Sequence, residues 1–170
     1  MTLKLHFSTA NLTDLDAIMR IEQAGFTPQE AASRSSMAAR IIHYPDTFIV
    51  ARTDQTIAGY IVGPATSQST ITDDLFVTSQ PNSAAAPYIA ILSLAVAPDL
   101  QHHGIGRQLL AKMSDVARKQ NRIAITLTCL QRLIPFYEHA GFHNDGQAAS
   151  THAGEVWFNM TKAVTPVSDS

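Results

Sequence analysis

The chain has 170 residues, of which 45% are hydrophobic and 15% charged, and its formal net charge is -2. This composition is typical of one globular domain with a packed core and excludes a disordered chain. The weak charge, without a dense run of Lys or Arg, excludes the electrostatic basis for binding nucleic acid or an anionic membrane, and the single cysteine, Cys129, excludes an internal disulfide.

Localisation and domain organisation follow from the same bulk features. No stretch approaches the roughly 18 uninterrupted apolar residues of a membrane span, and the N-terminal residues lack the long apolar run of a secretory signal. We therefore expect a cytoplasmic protein with no membrane partner. One domain is expected over residues 1–163, followed by a disordered tail over residues 164–170.

The first half of the chain shows alternating strand and helix patterns. Residues 3–7 alternate apolar and polar side chains, which predicts a first strand. Helical spacing predicts a helix from about residue 13 to residue 25. Thr27-Pro28-Gln29-Glu30 combines a capping Thr, an early Pro and a capping-box Glu, which predicts a second helix toward residue 42. Residues 47–51 and 57–62 predict a two-stranded hairpin.

The second half begins with a long segment, residues 63–87, that is rich in Ser, Thr, Ala and Pro and predicts a loop with a short helix near residues 73–76. Residues 88–96 form a nearly continuous apolar run, which predicts a central strand buried on both faces. Residues 105–118 have one apolar and one polar face and predict a third helix. Strands over residues 123–128 and 156–160 and a short helix over residues 133–140 complete the prediction.

The junction between the central strand and the third helix contains Gly104 and Gly106. The first N–H groups of a helix lack internal acceptors and lie at the positive end of its dipole, so this junction favours an anion such as phosphate. Two glycines alone are weak evidence. A dinucleotide-binding fingerprint would need a small residue in place of Leu109, and a P-loop would need a Gly-Lys-Ser/Thr ending, which is absent.

Two separated segments resemble motifs of one family. Gln101-His102-His103-Gly104-Ile105-Gly106 follows Leu94-Ala95-Val96 and is similar to the pyrophosphate-binding motif Arg/Gln-x-x-Gly-x-Gly/Ala of the GNAT N-acetyltransferases. Phe136-Tyr137-Glu138-His139-Ala140-Gly141-Phe142 resembles that family's Phe-Tyr-x-x-x-Gly-Phe segment. The resemblance covers residues 21–161. Residues 21–22, 94–96 and 134–138 are most similar to the arylalkylamine N-acetyltransferase branch.

The resemblance implies a mixed α/β (α+β) fold with a GNAT-type central mixed sheet, splayed open between its fourth and fifth strands and flanked by about four helices. It also implies acetyl-CoA as co-substrate, with the pantetheine arm against the fourth strand and the pyrophosphate on the glycine loop. The implied cofactor-binding residues are Leu94, Ala95, Val96, Gln101, His102, His103, Gly104, Ile105, Gly106 and Arg107.

The implied activity is transfer of an acetyl group to the primary amine of a small molecule, by direct attack in a ternary complex. A protein or peptide N-acetyltransferase and a non-catalytic acetyl-CoA-binding module remain alternatives, and a homodimer is left open. Tyr137 is the implied general acid for the departing thiolate. The arylalkylamine branch has two histidines where this chain has Ala90 and Leu92, so the expected base is missing or replaced.

Several other residues are candidates for the site. No His or Cys cluster has metal-ligand spacing, so we expect no metal. His102 and His103 are expected to contribute backbone N–H groups rather than imidazole chemistry. The candidates for attracting a cationic amine are Glu22, Glu30, Asp73 and Asp74, and those for lining its pocket are Phe26, Tyr44 and Tyr60.

Overall fold

The computed structural model describes residues 4–77 and 79–164. Its strands are β1 (His6–Thr9), β2 (Phe48–Arg52), β3 (Ile57–Val62), β4 (Ala65–Thr66), β5 (Tyr88–Ala90), β6 (Ser93–Val96), β7 (Ala124–Leu130), β8 (His143–Gln147) and β9 (Trp157–Ala163). Its helices are α1 (Leu15–Gly25), α2 (Arg34–His43), α3 (Asp74–Val77), α4 (Ile105–Lys119) and α5 (Ile134–His139).

The strands form two sheets. The first has the order β1-β2-β3-β6 and is antiparallel throughout. The second has the order β4-β5-β7-β9-β8, and β5 with β7 is its parallel pair. Helices α1 and α2 pack in a cluster with Tyr60 of β3, whereas α4 packs in a second cluster with Ile61 of the same strand. The predicted mixed α+β fold with a splayed sheet is confirmed.

The two sheets separate at Ile91 and Leu92. The N–H of Ile91 donates to the Thr126 carbonyl of β7 at 2.9 Å, whereas the N–H of Leu92 donates to the Val62 carbonyl of β3 at 2.8 Å. The single strand predicted over residues 88–96 is therefore wrong: its halves are β5 and β6, which belong to different sheets. An apolar run indicates burial but carries no information about which neighbour accepts each hydrogen bond.

Gly63 allows the first sheet to approach this break. A Cβ at position 63 would lie 1.6 Å from the carbonyl oxygen of Ala90, so a side chain there would force the two backbones apart. The next residue, Pro64, accepts a hydrogen bond from the N–H of Ala90 at 2.9 Å. The separation of β6 from β7 thus depends on a close backbone contact that only glycine permits.

The predicted start of the second helix is wrong. Thr27 and Glu30 do form reciprocal capping-box hydrogen bonds of 2.9 and 3.3 Å, but only one turn follows. The N–H of Ala32 donates to the Glu22 carboxylate at 2.8 Å, so the backbone is bound to α1 instead of continuing as helix. Helix α2 begins after Ser33, whose hydroxyl accepts the N–H of Ser36 at 3.1 Å.

Most other elements are confirmed within a few residues: the β2–β3 hairpin, the short helix α3, the amphipathic helix α4 and the helix α5. Strands β4 and β8 were not predicted, because β4 has two residues and β8 carries no apolar alternation. Val164 in the predicted tail is buried and donates its N–H to the Ile123 carbonyl at 3.0 Å. The rest of that tail, residues 165–170, lies outside the described residues.

Candidate active site

A cleft of about 900 Å³ opens where β6 and β7 diverge. The N-terminus of α4 lies at one end, and α3 with the loop before β9 lies at the other. The predicted site residues that line it are Leu94, Ala95, Val96, Gln101, His102, Gly104, Ile105, Gly106, Arg107 and Tyr137. His103 is the predicted residue that does not line the cleft, and its side chain is exposed.

The N-terminus of α4 is built to accept an anion. Gly104 caps the helix with a φ of +77°, and no described atom lies within 4 Å of the position that its Cβ would occupy. The first helical hydrogen bond runs from Gln108 to Gly104, so the N–H groups of residues 105–107 find no acceptor among the described residues. Three free donors at the positive end of a 15-residue helix fit a phosphate group.

Strand β6 offers the second feature of the cleft. One of its edges pairs with β3, and within residues 4–77 and 79–164 no strand pairs with the other edge, which faces β7 across the cleft. The Gln101 side chain donates to the Val96 carbonyl at 3.4 Å at the end of this edge. A free strand edge can pair with an extended chain that carries amide groups.

Tyr137 lies in the cleft on α5. Its side chain is 9% exposed, and its ring packs edge-on against Phe136 and Phe142 at centroid distances of 5.0 and 5.7 Å. Its hydroxyl has no hydrogen-bond partner among the described side chains. Burial, together with the nearby Cys129, raises the pKa of Tyr137 well above its usual value, so the hydroxyl keeps its proton. Burial also raises the pKa of the Cys129 thiol to about 11, which keeps it un-ionised.

A buried polar cluster lies at the floor of the cleft around Glu22, which is 1% exposed. Its carboxylate accepts hydrogen bonds from the Tyr60 hydroxyl, the Ala32 N–H at 2.8 Å and the Ser93 hydroxyl at 3.3 Å. Burial and the charge of Glu22 raise the pKa of Tyr60 well above its usual value, so Tyr60 remains a donor. The sequence identified Glu22 as a candidate for attracting an amine but gave no sign of these partners.

Arg40 completes this cluster. It is 3% exposed and donates to the Ser93 hydroxyl and to the Phe76 carbonyl, both at 3.5 Å. Burial lowers the pKa of its guanidinium, and the charge of Glu22 opposes that effect. Because Ser93 bonds to both ions, Glu22 and Arg40 form a buried ion pair bridged by a hydroxyl.

The far end of the cleft has an aromatic wall formed by Phe76, His152 and Trp157. The rings of Phe76 and His152 are stacked, with centroids 5.9 Å apart and an interplanar angle of 6°. The His152 and Trp157 rings are 6.1 Å apart, and the indole N–H donates to the His152 carbonyl at 2.8 Å. All three residues line the cleft. The sequence did not identify this wall, because α3 and the loop before β9 carry no motif.

The aromatic residues predicted from the sequence lie elsewhere, except for one. Phe26 lines the cleft, as predicted. Tyr44 and Tyr60 are 1% and 0% exposed and lie in the core beside Phe48, outside the cleft lining. Their prediction as pocket residues is wrong, because aromatic side chains on a helix end and a central strand are more simply accommodated in the core.

Three loops meet around the far end of the cleft. The Ser150 hydroxyl donates to the Asp73 carboxylate at 2.7 Å and so ties the loop before β9 to α3. Glu30, in the turn after α1, lies close to Glu155 and to the charge of Arg132. Although burial opposes it, hydrogen bonds from Thr27 lower the pKa of Glu30, which keeps this carboxylate ionised.

Two classes of site find no support in the described part of the chain. No group of three or more His, Cys, Asp or Glu side chains there is arranged to hold a metal ion. Among the same residues, no helix combines the length and apolar character that crossing a membrane requires.

A splayed sheet, a free strand edge and a helix N-terminus converging on one cleft define a protein of the GNAT fold. Residues 15–142 match the model of the acetyltransferase (GNAT) family, so the chain belongs to that family. Membership implies an acyltransferase. No curated protein has significant sequence similarity to this chain.

Solved structures agree with this fold. Ard1 from Thermoplasma volcanium has 19% identity and a TM-score of 0.76 and covers 94% of this chain and 97% of its own. The loading GNATL domain of CurA from Lyngbya majuscula has 12% identity, a TM-score of 0.81 and coverage of 94% and 98%. The yncA protein from Salmonella typhimurium, solved with its cofactor acetyl-CoA, has 15% identity, a TM-score of 0.71 and coverage of 98% and 98%. At these identities, the similarity shows the fold alone.

Proposed function

We propose that this protein is an acetyl-CoA-dependent N-acetyltransferase that modifies the primary amine of a small molecule. The observation that carries the proposal is the closed far end of the cleft. Asp73 and Ser150 bond across it, and Phe76 stacks on His152 beside them. A peptide substrate needs an open groove, whereas a closed pocket with a few polar groups fits a small ligand.

The residues at the other end fit acetyl-CoA. The free N–H groups at positions 105–107 are suited to its pyrophosphate, and the free edge of β6 is suited to the amide groups of its pantetheine arm. When bound, acetyl-CoA supplies the thioester that is the acetyl donor. The path between the two ends passes Leu94 and Tyr137, which places the reacting carbon between β6 and α5.

Tyr137 is the proposed general acid. When the amine nitrogen bonds to the acetyl carbon and the C–S bond breaks, the sulfur leaves with the electron pair and needs a proton. The Tyr137 hydroxyl keeps its proton at neutral pH and has no described partner, so it is free to donate. Such a donor typically contributes about 10²–10⁴-fold to the rate.

The acceptor must lose a proton before it attacks, and the structure places no free carboxylate at the reacting carbon. Ala90 is buried, Leu92 is apolar, and the oxygens of Glu22 already accept three hydrogen bonds. We therefore propose that Glu22 contributes negative potential and that the acceptor reacts as the free amine. At pH 7 only about one part in a thousand of an alkylamine with a pKa near 10 is in that form.

The resemblance to the arylalkylamine branch, the homodimer and the cytoplasmic location belong to this proposal and not to the findings. The two alternatives predict different results. A peptide N-acetyltransferase would accept lysine peptides or protein N-termini in place of small amines. A non-catalytic binding module would bind acetyl-CoA and release no thiol with any acceptor.

The test combines binding and turnover. Acetyl-CoA at 100 times its dissociation constant should stabilise the protein by about 2.7 kcal/mol in a thermal or urea unfolding experiment. Thiol release is then measured with tryptamine, 2-phenylethylamine, spermidine and lysine peptides. Turnover of a small amine supports the proposal. Binding with no thiol release, or release with peptides alone, would overturn it.

A further inference from the structure

We infer that the aromatic wall of Phe76, His152 and Trp157 binds a flat aromatic ring of the acceptor, so that the preferred substrates are primary amines on a short chain attached to such a ring. This inference rests on the proposed function and assigns its substrate class to three residues outside the family motifs. It concerns the end of the cleft away from α4.

The wall is held in place from several directions. The His152 carbonyl accepts the Trp157 indole N–H, and the His152 N–H donates to the Ser150 hydroxyl at 3.2 Å. The Phe76 carbonyl accepts the Arg40 guanidinium, which links α3 to the buried cluster under Ser93. Side chains fixed in this way lose little entropy when a ligand ring packs on them, which favours binding.

The composition of this end suits a ring joined to a cation. Aromatic rings pack on one another with about 0.5–1.5 kcal/mol beyond the burial of their area. The carboxylates of Glu22, Glu30 and Asp73 line the same end, against one guanidinium, Arg132. The resulting negative potential attracts an ammonium group on its way into the cleft.

A polyamine would use this site poorly. It would place several charged groups against Phe76, His152 and Trp157 and would leave their apolar surface without a matching group. A flat ring covers that surface, and its short chain leads the nitrogen back toward Leu94 and Tyr137. The wall and the carboxylates together therefore favour one amine on an apolar flat body.

Trp157 is the sole tryptophan of the chain, so its fluorescence reports directly on the wall. The full-length protein, saturated with CoA, is titrated with 2-phenylethylamine and with 2-cyclohexylethylamine, which has the same chain and a saturated ring of similar size. We expect 2-phenylethylamine to change the emission and to bind about three- to tenfold more tightly, the range that an aromatic pair provides.

Variants test whether the wall is the cause. Phe76→Leu should bring the two amines to within about twofold in both fluorescence affinity and kcat/KM. Trp157→Leu should do the same in kcat/KM. Phe158→Leu is the matched control, because Phe158 is the next residue of β9 and lies outside the cleft lining. It should keep the wild-type selectivity.

The outcomes separate the two levels of the proposal. Loss of selectivity in Phe76→Leu and Trp157→Leu, with unchanged acetyl-CoA affinity, supports the wall. Turnover of amines with unchanged selectivity in both variants would overturn the wall and leave the proposed function standing. Weakened acetyl-CoA binding in these variants would assign the wall to the cofactor and overturn the inference. Acetyl-CoA binding without turnover of any amine would overturn the proposed function itself.

Discussion

The hydroxyl of Ser93 lies 3.3 Å from the carboxylate of Glu22, and this hydrogen bond joins the strand that borders the cleft to the helix behind it. Ser93 is the first residue of β6 after the two sheets separate, and the same hydroxyl accepts from Arg40. The break that opens the cleft is thus supported from below by a buried ion pair. Its charge lies under the acceptor end.

Glu22→Gln should destabilise the protein strongly, because it leaves the buried Arg40 without a compensating charge. Removing one partner of a buried ion pair typically costs about 3–5 kcal/mol. The double variant Glu22→Gln/Arg40→Met should recover most of that loss. Urea unfolding measures both. Glu30→Gln is the control, since Gln also completes the capping box, and it should change stability by less than about 0.5 kcal/mol. A Glu22→Gln protein as stable as Glu30→Gln would contradict the role of Glu22.

Gly104→Glu should abolish acetyl-CoA binding, because a carboxylate would lie beside the N–H groups that are proposed to bind the pyrophosphate. Gly146→Glu is a matched control: Gly146 also has a positive φ, +103°, with no described atom within 4 Å of its Cβ position, but it lies on β8. Both variants carry a similar backbone strain of roughly 1–2 kcal/mol. Calorimetric titration should show loss of binding in the first variant and wild-type affinity in the second. Equal affinities would place the phosphate site elsewhere.

The cofactor end of the cleft was predictable from sequence because its chemistry is local. A strand, a glycine loop and a helix follow one another within residues 93–119, so the free N–H groups at positions 105–107 result from consecutive residues. Tyr137 was predictable only through a motif. The free edge of β6 was not, since the partners of Ile91 and Leu92 depend on strands from both halves of the chain.

The acceptor end depends on contacts between distant segments. Phe76 and His152 are 76 residues apart and carry no periodicity or motif that relates them. The Glu30 capping box was recognised correctly, but the competing bond from Ala32 to Glu22 ended the helix after one turn. Local rules failed where a tertiary contact offered the backbone a different partner.

Ser150→Ala should weaken acceptor binding without affecting the cofactor, because it removes the hydrogen bond from Ser150 to Asp73 that closes the cleft. A hydrogen bond to a charged group contributes about 1.5–3 kcal/mol, and less where solvent competes. We therefore expect the KM of the amine to rise about three- to tenfold, with acetyl-CoA affinity unchanged. Ser35→Ala, an exposed serine near the start of α2, is the control for steady-state kinetics. An unchanged KM in Ser150→Ala would show that the two loops close without this bond.

Tyr137→Phe should lower kcat at least about 10²-fold while leaving acetyl-CoA affinity nearly unchanged. The substitution keeps the ring contacts with Phe136 and Phe142, so the fold should be retained, and it removes only the proposed proton donor. Stopped-flow turnover and calorimetric binding separate the two effects. A variant with normal kcat would return Tyr137 to a packing role.

The pH dependence of kcat/KM tests how the acceptor loses its proton. If it reacts as the free amine, kcat/KM should rise tenfold per pH unit up to about pH 9–10, where an alkylamine is half deprotonated. The acid limb should not oppose this rise, because burial raises the pKa of Tyr137 well above its usual value and the donor stays protonated throughout. The measurement is kcat/KM for 2-phenylethylamine from pH 6 to pH 10, with protein stability checked at each pH. A plateau near pH 7 would contradict the free-amine mechanism and reveal a base in the cleft. His152 would then be the first group to test, because its imidazole lines the acceptor end, and His152→Gln should restore the tenfold slope.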